Sequence, residues 1–159
     1  MSKPKYPLKS ISKDKLRFEF ESVGTHKIVL KLVEYEPIDE NSIYYNLALV
    51  DMNEDGSYSD KTVTDNKDTE KIFATIAQTI DCFFQKYPSN RILIYANDRL
   101  RIRLYRMAIS NYWNEKEQNW AFYGLTNKKF ERFEKGKNYE AFMITLKSLK
   151  LKLYYETKS

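Results

Sequence analysis

Apolar and charged residues alternate along the first third of the chain, and this period of two predicts β-strands. Every second residue is apolar in residues 16–21, and two alternating faces recur in residues 28–35. A Ser-Val-Gly-Thr turn at residues 22–25 separates these segments, so together they predict a β-hairpin, which ends at Pro37. Residues 43–50 (IYYNLALV) are apolar on both faces and predict a central strand.

A period of 3.6 residues then replaces the alternation and predicts a long amphipathic helix over residues 69–86. Asp68 precedes this helix as an N-cap, and Glu70 lies where the positive end of the helix dipole favours an acid. Tyr87-Pro88 ends the helix, because the residue before a proline avoids the helical conformation. One face is apolar and predicts contact with the core: Ile72, Phe73, Ile76, Ala77, Ile80, Phe83 and Phe84.

Short strand and helix patterns alternate in the second half of the chain. Asn97 or Asp98 is expected to cap the second helix. The tail at residues 149–153 alternates and predicts either an edge strand or a short helix. The remaining predicted elements are a strand at residues 91–96, a helix at 98–115, a strand at 120–125, a charged connection at 127–137 and a helix at 138–146.

The order of these elements, β-β-β-α-β-α-β-α, predicts an α+β fold. We expect a mainly antiparallel sheet with two to three helices packed on one face. No glycine-rich turn joins a strand to a helix, which argues against a doubly wound nucleotide-binding fold. The 159 residues fit one domain, so we expect a flexible, lysine-rich lead-in at residues 1–15 and a single domain at residues 16–159.

Four arginines fall within eight residues in the stretch NDRLRIRLYRM, residues 97–107. On a helix with 3.6 residues per turn, Arg99, Arg103 and Arg106 lie within about 60° of one another. Arg101 lies apart from this trio. An adjacent apolar stripe is expected to face the core, and it consists of Leu100, Leu104 and Met107.

Guanidinium groups near a helix N-terminus suit phosphate or a nucleic-acid backbone, because they donate paired hydrogen bonds to anionic oxygens. The candidate ligand-binding residues are therefore Arg99, Arg101, Arg103, Tyr105 and Arg106. Aromatic side chains nearby suit stacking on bases, and these are Tyr105, Tyr112, Trp113 and Trp120. The competing interpretation is structural, with the arginines paired to acids of residues 36–70 or to Glu131, Glu134 and Glu140.

The charge is unevenly distributed along the chain. The formal net charge is +5, but residues 36–70 hold ten acids and two bases, which leaves −8 there and +13 in the rest. A basic body attracts polyanions, whereas a basic surface with an acidic loop also suits protein partners. The alternative function is therefore a non-enzymatic protein-interaction module that uses the same basic and tyrosine-bearing surface, together with the acidic loop at residues 51–67.

The sequence gives little support for a metal site, a bound cofactor or a nucleophilic catalytic residue. The only cysteine, Cys82, excludes an internal disulfide and indicates a reducing, cytoplasmic location, and no segment predicts a membrane span. Residues 51–62 match the first half of a calcium loop, but Thr62 stands where a bidentate Glu is needed, so a polar turn is the better interpretation. His26 is the only histidine. We expect no cofactor and no metal site, and the sequence designates no catalytic residue and does not decide whether the protein is an enzyme.

Several short motifs occur in a characteristic order across residues 16–147. The specific ones are Arg-x-Arg-Leu-Tyr-Arg-Met at residues 101–107 and Asn-Tyr-Glu-Ala-Phe at residues 138–142. The others are Ser22-x-Gly24, Tyr45-Asn46-Leu47, Asn66-x-Asp68, Thr75-Ile76-Ala77 and Tyr87-Pro88. With this set the chain resembles an uncharacterised family of small bacterial proteins, domain of unknown function 6934.

The resemblance carries no established activity. It implies that Arg101, Arg103 and Arg106 belong to the family motif, whereas Arg99 need not. The chain departs from the family pattern at Val50-Asp51, Ala96-Asn97 and Ala108, where glycine or small residues are expected. The size and the type of family suggest a toxin–antitoxin or phage-defence module, an association that does not follow from chemistry.

Overall fold

A computed structural model describes residues 4–24, 27–41, 43–53, 55, 58–59, 68–96 and 99–149. The chain divides into two compact units. Unit 1 comprises Met1–Glu36 and Leu47–Lys86, and unit 2 comprises Pro37–Asn46 and Tyr87–Ser159. The acidic loop and the possible calcium loop lie mostly outside the described residues, as do His26 and the tail beyond residue 149.

The described chain contains nine strands and two α-helices, and the predicted α+β fold with a mainly antiparallel sheet is confirmed. None of the helices in the ranges above is long and apolar enough to cross a membrane. The strands are β1 (Ser10–Ile11), β2 (Arg17–Val23), β3 (Ile28–Pro37), β4 (Tyr44–Met52), β5 (Tyr58–Ser59), β6 (Arg91–Tyr95), β7 (Trp120–Thr126), β8 (Lys129–Arg132) and β9 (Ala141–Leu146). The helices are α1 (Thr69–Lys86) and α2 (Arg99–Met107), the latter followed by a π-helical turn (Ala108–Tyr112) and a 3₁₀ turn (Asn114–Lys116).

Unit 1 consists of the strand order β1-β2-β3-β4, with β5 beside β4, and of helix α1. The predicted hairpin is present as the antiparallel pair β2–β3, in which Phe18 lies opposite Val33. The predicted helix has the expected bounds, and its apolar stripe is buried. Local pattern and tertiary burial agree in this unit, because an alternating hairpin and a 3.6-period helix each present a single apolar face to the same core.

Aromatic rings fill the core of unit 1. The ring of Tyr35 stacks on Phe83 at a centroid distance of 4.7 Å, and its hydroxyl lies 2.7 Å from the Thr79 hydroxyl. Tyr6 is also buried and stacks on Phe20 at 5.8 Å. The Tyr6 amide N–H donates a hydrogen bond of 2.8 Å to Thr75. The segment predicted as a lead-in therefore contributes an aromatic ring and a backbone hydrogen bond to this core.

A lysine and a carboxylate are paired inside unit 1. Lys31 is fully buried, and its Nζ lies 2.5 Å from Oδ1 of Asp51. Burial lowers the pKa of Lys31 below its ordinary value, while the hydrogen bond and charge of Asp51 oppose this shift. A second carboxylate, Asp68, accepts hydrogen bonds from the hydroxyls of Tyr6 and Ser22, each 2.5 Å long. Sequence patterns did not indicate this polar cluster, since Lys31 occupies an alternating strand position.

Unit 2 is built on the strand order β4-β6-β9-β7-β8. The first residues of β4 pair with β6 in parallel, and every later neighbour in this order is antiparallel. The helix predicted over residues 138–146 was wrong, because this segment forms β9, which lies between β6 and β7. Residues 141–145 are all buried. Ala141 and Met143 favour helices, but Phe142, Ile144 and Thr145 favour strands. Pairing with β6 and β7 on both sides decides this mixed segment in favour of a strand.

The predicted charged connection at residues 127–137 contains a further strand. Asn127 and Lys128 have positive φ angles of 51° and 64°, which form a two-residue hairpin turn between β7 and β8. Asparagine tolerates this backbone region, but the second turn residue is lysine, so the Asn-Gly pair that usually predicts such a turn is absent from the sequence. The sequence therefore indicated a loop where the structure has a tight turn and a strand.

The ring of Tyr139 occupies the space above Gly124. A Cβ atom at residue 124 would lie 2.3 Å from Cδ1 of Tyr139, well inside van der Waals contact. The Tyr139 hydroxyl accepts a hydrogen bond from the amide of Glu134 at 3.0 Å and donates one to Glu131 at 2.9 Å. The ring is thus held on both sides, and glycine is required at position 124 for steric reasons.

The variant Gly124→Ala should lose about 1–3 kcal/mol of unfolding free energy, because the added methyl group overpacks against Tyr139. Urea unfolding at constant pH measures this loss. In a Tyr139→Leu background the same substitution should cost clearly less, since the clashing ring is gone. An equal cost in both backgrounds would contradict the assignment of the clash to Tyr139.

The buried Lys31 predicts a pH-dependent stability. Its pKa is lower in the folded chain than its ordinary value of 10.5, so the unfolded chain binds more protons between these two values. The stability contribution of Lys31 therefore rises as the pH rises through this window. Urea unfolding across alkaline pH should show wild type gaining stability relative to Lys31→Met. The control is Lys129→Met, which replaces an exposed lysine in the same way. A stability difference between wild type and Lys31→Met that stays constant or falls as the pH rises would contradict the prediction.

Candidate functional site

Helix α2 carries the arginines and is shorter than the sequence predicts. Its α-helical part ends at Met107, and the π-helical turn follows, in which the amide of Trp113 donates to the carbonyl of Ala108 at 2.7 Å. Both of these residues are fully buried. Single π-helical turns inside or after α-helices are rare and occur frequently at functional sites. The predicted caps Asn97 and Asp98 lie outside the described residues.

The buried face of α2 differs from the predicted one. The stripe of Leu100, Leu104 and Met107 was expected to face the core, and this was wrong. Leu100 is 47% exposed, and the other two are half-buried. The core face instead contains Tyr105, followed by Ala108 and Ile109 in the π-helical turn. The helix sequence is apolar on two faces, and local periodicity could not decide which of them the sheet would cover.

The three arginines grouped by helical periodicity line one surface recess. We call it the arginine recess, and its volume is about 770 Å³. Arg101 does not line it. This recess brings α2 together with the Asn-Tyr-Glu segment that precedes β9, so the two specific sequence motifs meet in space. Its lining residues are Ala96, Arg99, Ile102, Arg103, Arg106, Asn138, Tyr139 and Glu140.

Within the described residues, the guanidinium groups of this recess form no ion pair with a carboxylate. Nη1 of Arg106 donates a hydrogen bond of 2.5 Å to the neutral amide oxygen of Asn138. Arg99 and Arg103 are exposed, and no acid within the described ranges forms an ion pair with either of them or with Arg106. Glu140 also lines the recess. The electrostatics of the recess therefore combine three cationic groups with one carboxylate.

Glu131, one of the acids expected as a structural partner of the arginines, has other partners in the described structure. Glu131 lies 2.7 Å from Nζ of Lys137 and accepts the Tyr139 hydroxyl. These two hydrogen bonds, that of Lys137 first, lower the pKa of Glu131 below its ordinary value. This carboxylate is therefore occupied at the edge of the unit and does not neutralise the recess.

Arg101 and Tyr105 lie on the core side of α2. Tyr105 is only 7% exposed, and burial raises its pKa to about 12, against the opposing charge of Arg101. A buried, neutral phenol is not presented to a ligand at the surface. Arg101 is half-buried and is electrostatically coupled to Tyr105 rather than to the recess. The structure therefore separates these two candidates from the recess-lining trio.

The aromatic residues expected to stack on bases are mostly in the core. Trp113 and Trp120 are 0% and 1% exposed, so the expectation for these two was wrong. Large apolar rings are buried whenever the fold can enclose them, and sequence proximity to arginines does not reveal this. Tyr112 is half-buried in the π-helical turn.

A second concave surface shares Arg103 and Arg106 with the recess but does not include Arg99. We call it the leucine–methionine groove, and its volume is about 640 Å³. Sequence reasoning missed Lys135, Asn138 and the polar residues of the π-helical turn as surface neighbours of α2. The family motif that contains Asn138 was the only available signal. The lining residues are Leu100, Arg103, Leu104, Arg106, Met107, Ser110, Asn111, Lys135, Gly136 and Asn138.

The side chains that line the recess are rich in cationic groups and hydrogen-bond donors. Guanidinium and amide groups donate hydrogen bonds, as the recognition of an anion requires. Tyr139 is held in the protonated form, because burial raises its pKa. Among the residues that the structure describes, no group of three or more His, Cys, Asp or Glu side chains is placed to hold a metal ion.

Comparisons with known proteins give one match. No curated protein and no solved structure matches the chain. A model described as a family of unknown function, DUF6934, matches residues 2–147. This match extends over both compact units and includes both specific motifs. The chain therefore belongs to this family, DUF6934.

Proposed function

We propose that this protein binds nucleic acid, or another phosphate-bearing ligand, through Arg99, Arg103 and Arg106. One observation carries the proposal. These three guanidinium groups line a single recess, and none of them forms an ion pair with an acid in the described part of the chain. Cationic groups that hold the fold together are usually paired, whereas these remain available for an external anion.

The geometry of the recess supports phosphate as the ligand group. A guanidinium presents a rigid fork of donors that matches two phosphate oxygens. The hydrogen bond from Arg106 to Asn138 orients one of these forks in advance, which reduces the side-chain entropy lost on binding. Arg99 and Arg103 remain hydrated until a ligand arrives, so their charges carry little desolvation cost in the free protein.

The proposal extends to the setting of the protein. A single cysteine favours a reducing location, and we propose that the protein acts in the cytoplasm. We also propose a role in a toxin–antitoxin or phage-defence module, which is supported only by the size of the chain and by the type of family. The proposed function is binding, and no catalytic step is part of it.

An electrophoretic shift assay at low salt tests the proposal with single-stranded and duplex DNA and RNA. Arg103→Ala should weaken binding by about 10–100-fold, because one charge-assisted contact to phosphate is lost. The slope of log affinity against log salt should fall by about one unit for each phosphate contact removed. No shift with any nucleic acid at low salt would contradict the proposal.

The matched control is Arg132→Ala. Arg132 is an exposed arginine of the same unit, lies against the ring of Tyr123 and does not line the recess. Both variants change the net charge by the same amount, so a general loss of positive charge would weaken both equally. A similar loss in the two variants would count against a specific site at the recess.

The protein-interaction function is the second candidate, and the leucine–methionine groove is the observation that favours it. An apolar floor with cationic residues at its edges suits an acidic peptide that carries aliphatic side chains. The acidic loop invoked for this function lies mostly outside the described residues, and Tyr105 is buried. We therefore rank this function below anion binding.

A further inference from the structure

The leucine–methionine groove and the arginine recess share their central residues. Arg103, Arg106 and Asn138 line both surfaces. A group bound to these two arginines therefore lies at the boundary between a polar recess and an apolar groove. A ligand that fills both must carry an anion in its middle and an apolar, planar or aliphatic group on one side of it.

The residues that line the groove indicate which kind of apolar ligand group it can bind. Leu100, Leu104 and Met107 supply an exposed or half-exposed apolar wall. Ser110 and Asn111, from the π-helical turn, add polar side chains at its other edge. An apolar wall combined with a few convergent polar groups is typical of a small-ligand site, and about 640 Å³ lies within the usual size range of such sites.

Two further features of the groove are typical of a ligand-binding surface. Folding normally covers a row of apolar residues on a helix, yet Leu100, the first residue of this row, is 47% exposed. The residues that follow form a π-helical turn, which redirects Ser110 and Asn111 relative to a continuous α-helix. Lys135 adds a cation to the lining, next to Gly136, which has a φ of +86°.

Given the proposed function, on which this inference rests, we propose that the ligand is a single-stranded nucleic acid. A phosphate group binds Arg103 and Arg106, and the adjoining base leaves the strand and enters the leucine–methionine groove. The base contacts the apolar wall with its face and directs its polar edge toward Ser110, Asn111 and Asn138. The next phosphates along the strand approach Arg99 and Lys135.

Single strands fit this arrangement better than duplexes. In a duplex the base faces are covered by stacking, and moving one base into the groove requires unpairing and unstacking it. A single strand exposes its bases without that cost. Amide and hydroxyl groups also suit the polar edges of bases, which present donors and acceptors next to an apolar face.

Fluorescence anisotropy with labelled oligonucleotides of one length tests the inference. The probes are a mixed-sequence single strand, the same strand with abasic residues, and the corresponding duplex, each as DNA and as RNA. We expect the single strand to bind about tenfold more tightly than either the duplex or the abasic strand, since a buried base contributes roughly that much.

Groove variants separate base binding from phosphate binding. Leu104→Gln combined with Met107→Gln should reduce affinity for the normal strand about tenfold and leave the abasic strand unchanged. Glutamine has good helix propensity, so α2 should persist. Arg103→Ala should reduce the affinity for the normal strand and for the abasic strand, because it removes a contact to phosphate. Ile38→Gln, at an exposed apolar residue of unit 2 outside the groove, controls for lower surface hydrophobicity.

The outcomes distinguish this inference from the proposed function. Equal binding of single strand and duplex, with no effect of the groove variants, would overturn the inference while the proposed function stands. An equal loss for normal and abasic strands would also overturn it. No binding of any probe would overturn both, and binding of an acidic Leu-rich peptide in its place would indicate a protein partner.

If the double variant unfolds at a clearly lower temperature than wild type, Leu100→Gln replaces it, because Leu100 is the most exposed residue of the apolar wall.

Discussion

The contact between Tyr139 and Gly124 is the constraint on which the candidate site depends. Without a side chain at residue 124, the Tyr139 ring lies directly on β7. Its hydroxyl is held at the same time by the backbone of Glu134 and the side chain of Glu131. Asn138 is the preceding residue, so this anchoring keeps its amide beside α2, where it accepts the hydrogen bond from Arg106. A displaced ring would therefore also displace a wall shared by the recess and the groove.

Helix α2 has more apolar surface than its place in the fold can bury. One side, with Tyr105 followed by Ala108 and Ile109, belongs to the core. The other side, with Leu100, Leu104 and Met107, remains at the surface next to the arginines. Exposing a second apolar face of a helix to water is unfavourable, and contiguous exposed apolar surface often marks an interaction or ligand-binding site. Arg103 and Arg106, which pair with no acid among the described residues, lie next to this face, and this adjacency is the basis for proposing a ligand that is part anion and part apolar group.

Lys31 in unit 1 and two arginines in unit 2 show two different environments for a cation. Unit 1 buries Lys31 completely and pairs it with Asp51, because an unpaired buried ammonium would be too costly. Unit 2 leaves Arg99 and Arg103 at the surface without a carboxylate partner in the described chain. The first arrangement ties a cation to the fold, and the second is the one on which the proposed binding of an anion rests. Counting basic residues along the sequence cannot separate these roles, since both kinds lie among apolar neighbours.

The sequence alone determined the features that depend on local pattern. Helix α1 and the hairpin of β2 and β3 each have one apolar face with a clear period, so their identity follows from the chain itself. The grouping of Arg99, Arg103 and Arg106 likewise follows from helical geometry. Only the tertiary structure decided that residues 141–146 form a strand, because the segment mixes helix-favouring and strand-favouring residues and β6 and β7 pair with it on both sides. It also decided which of the two apolar faces of α2 is buried and brought Asn138 to Arg106 across 32 residues of sequence. These outcomes depend on contacts between distant segments, and a local period carries no information about such contacts.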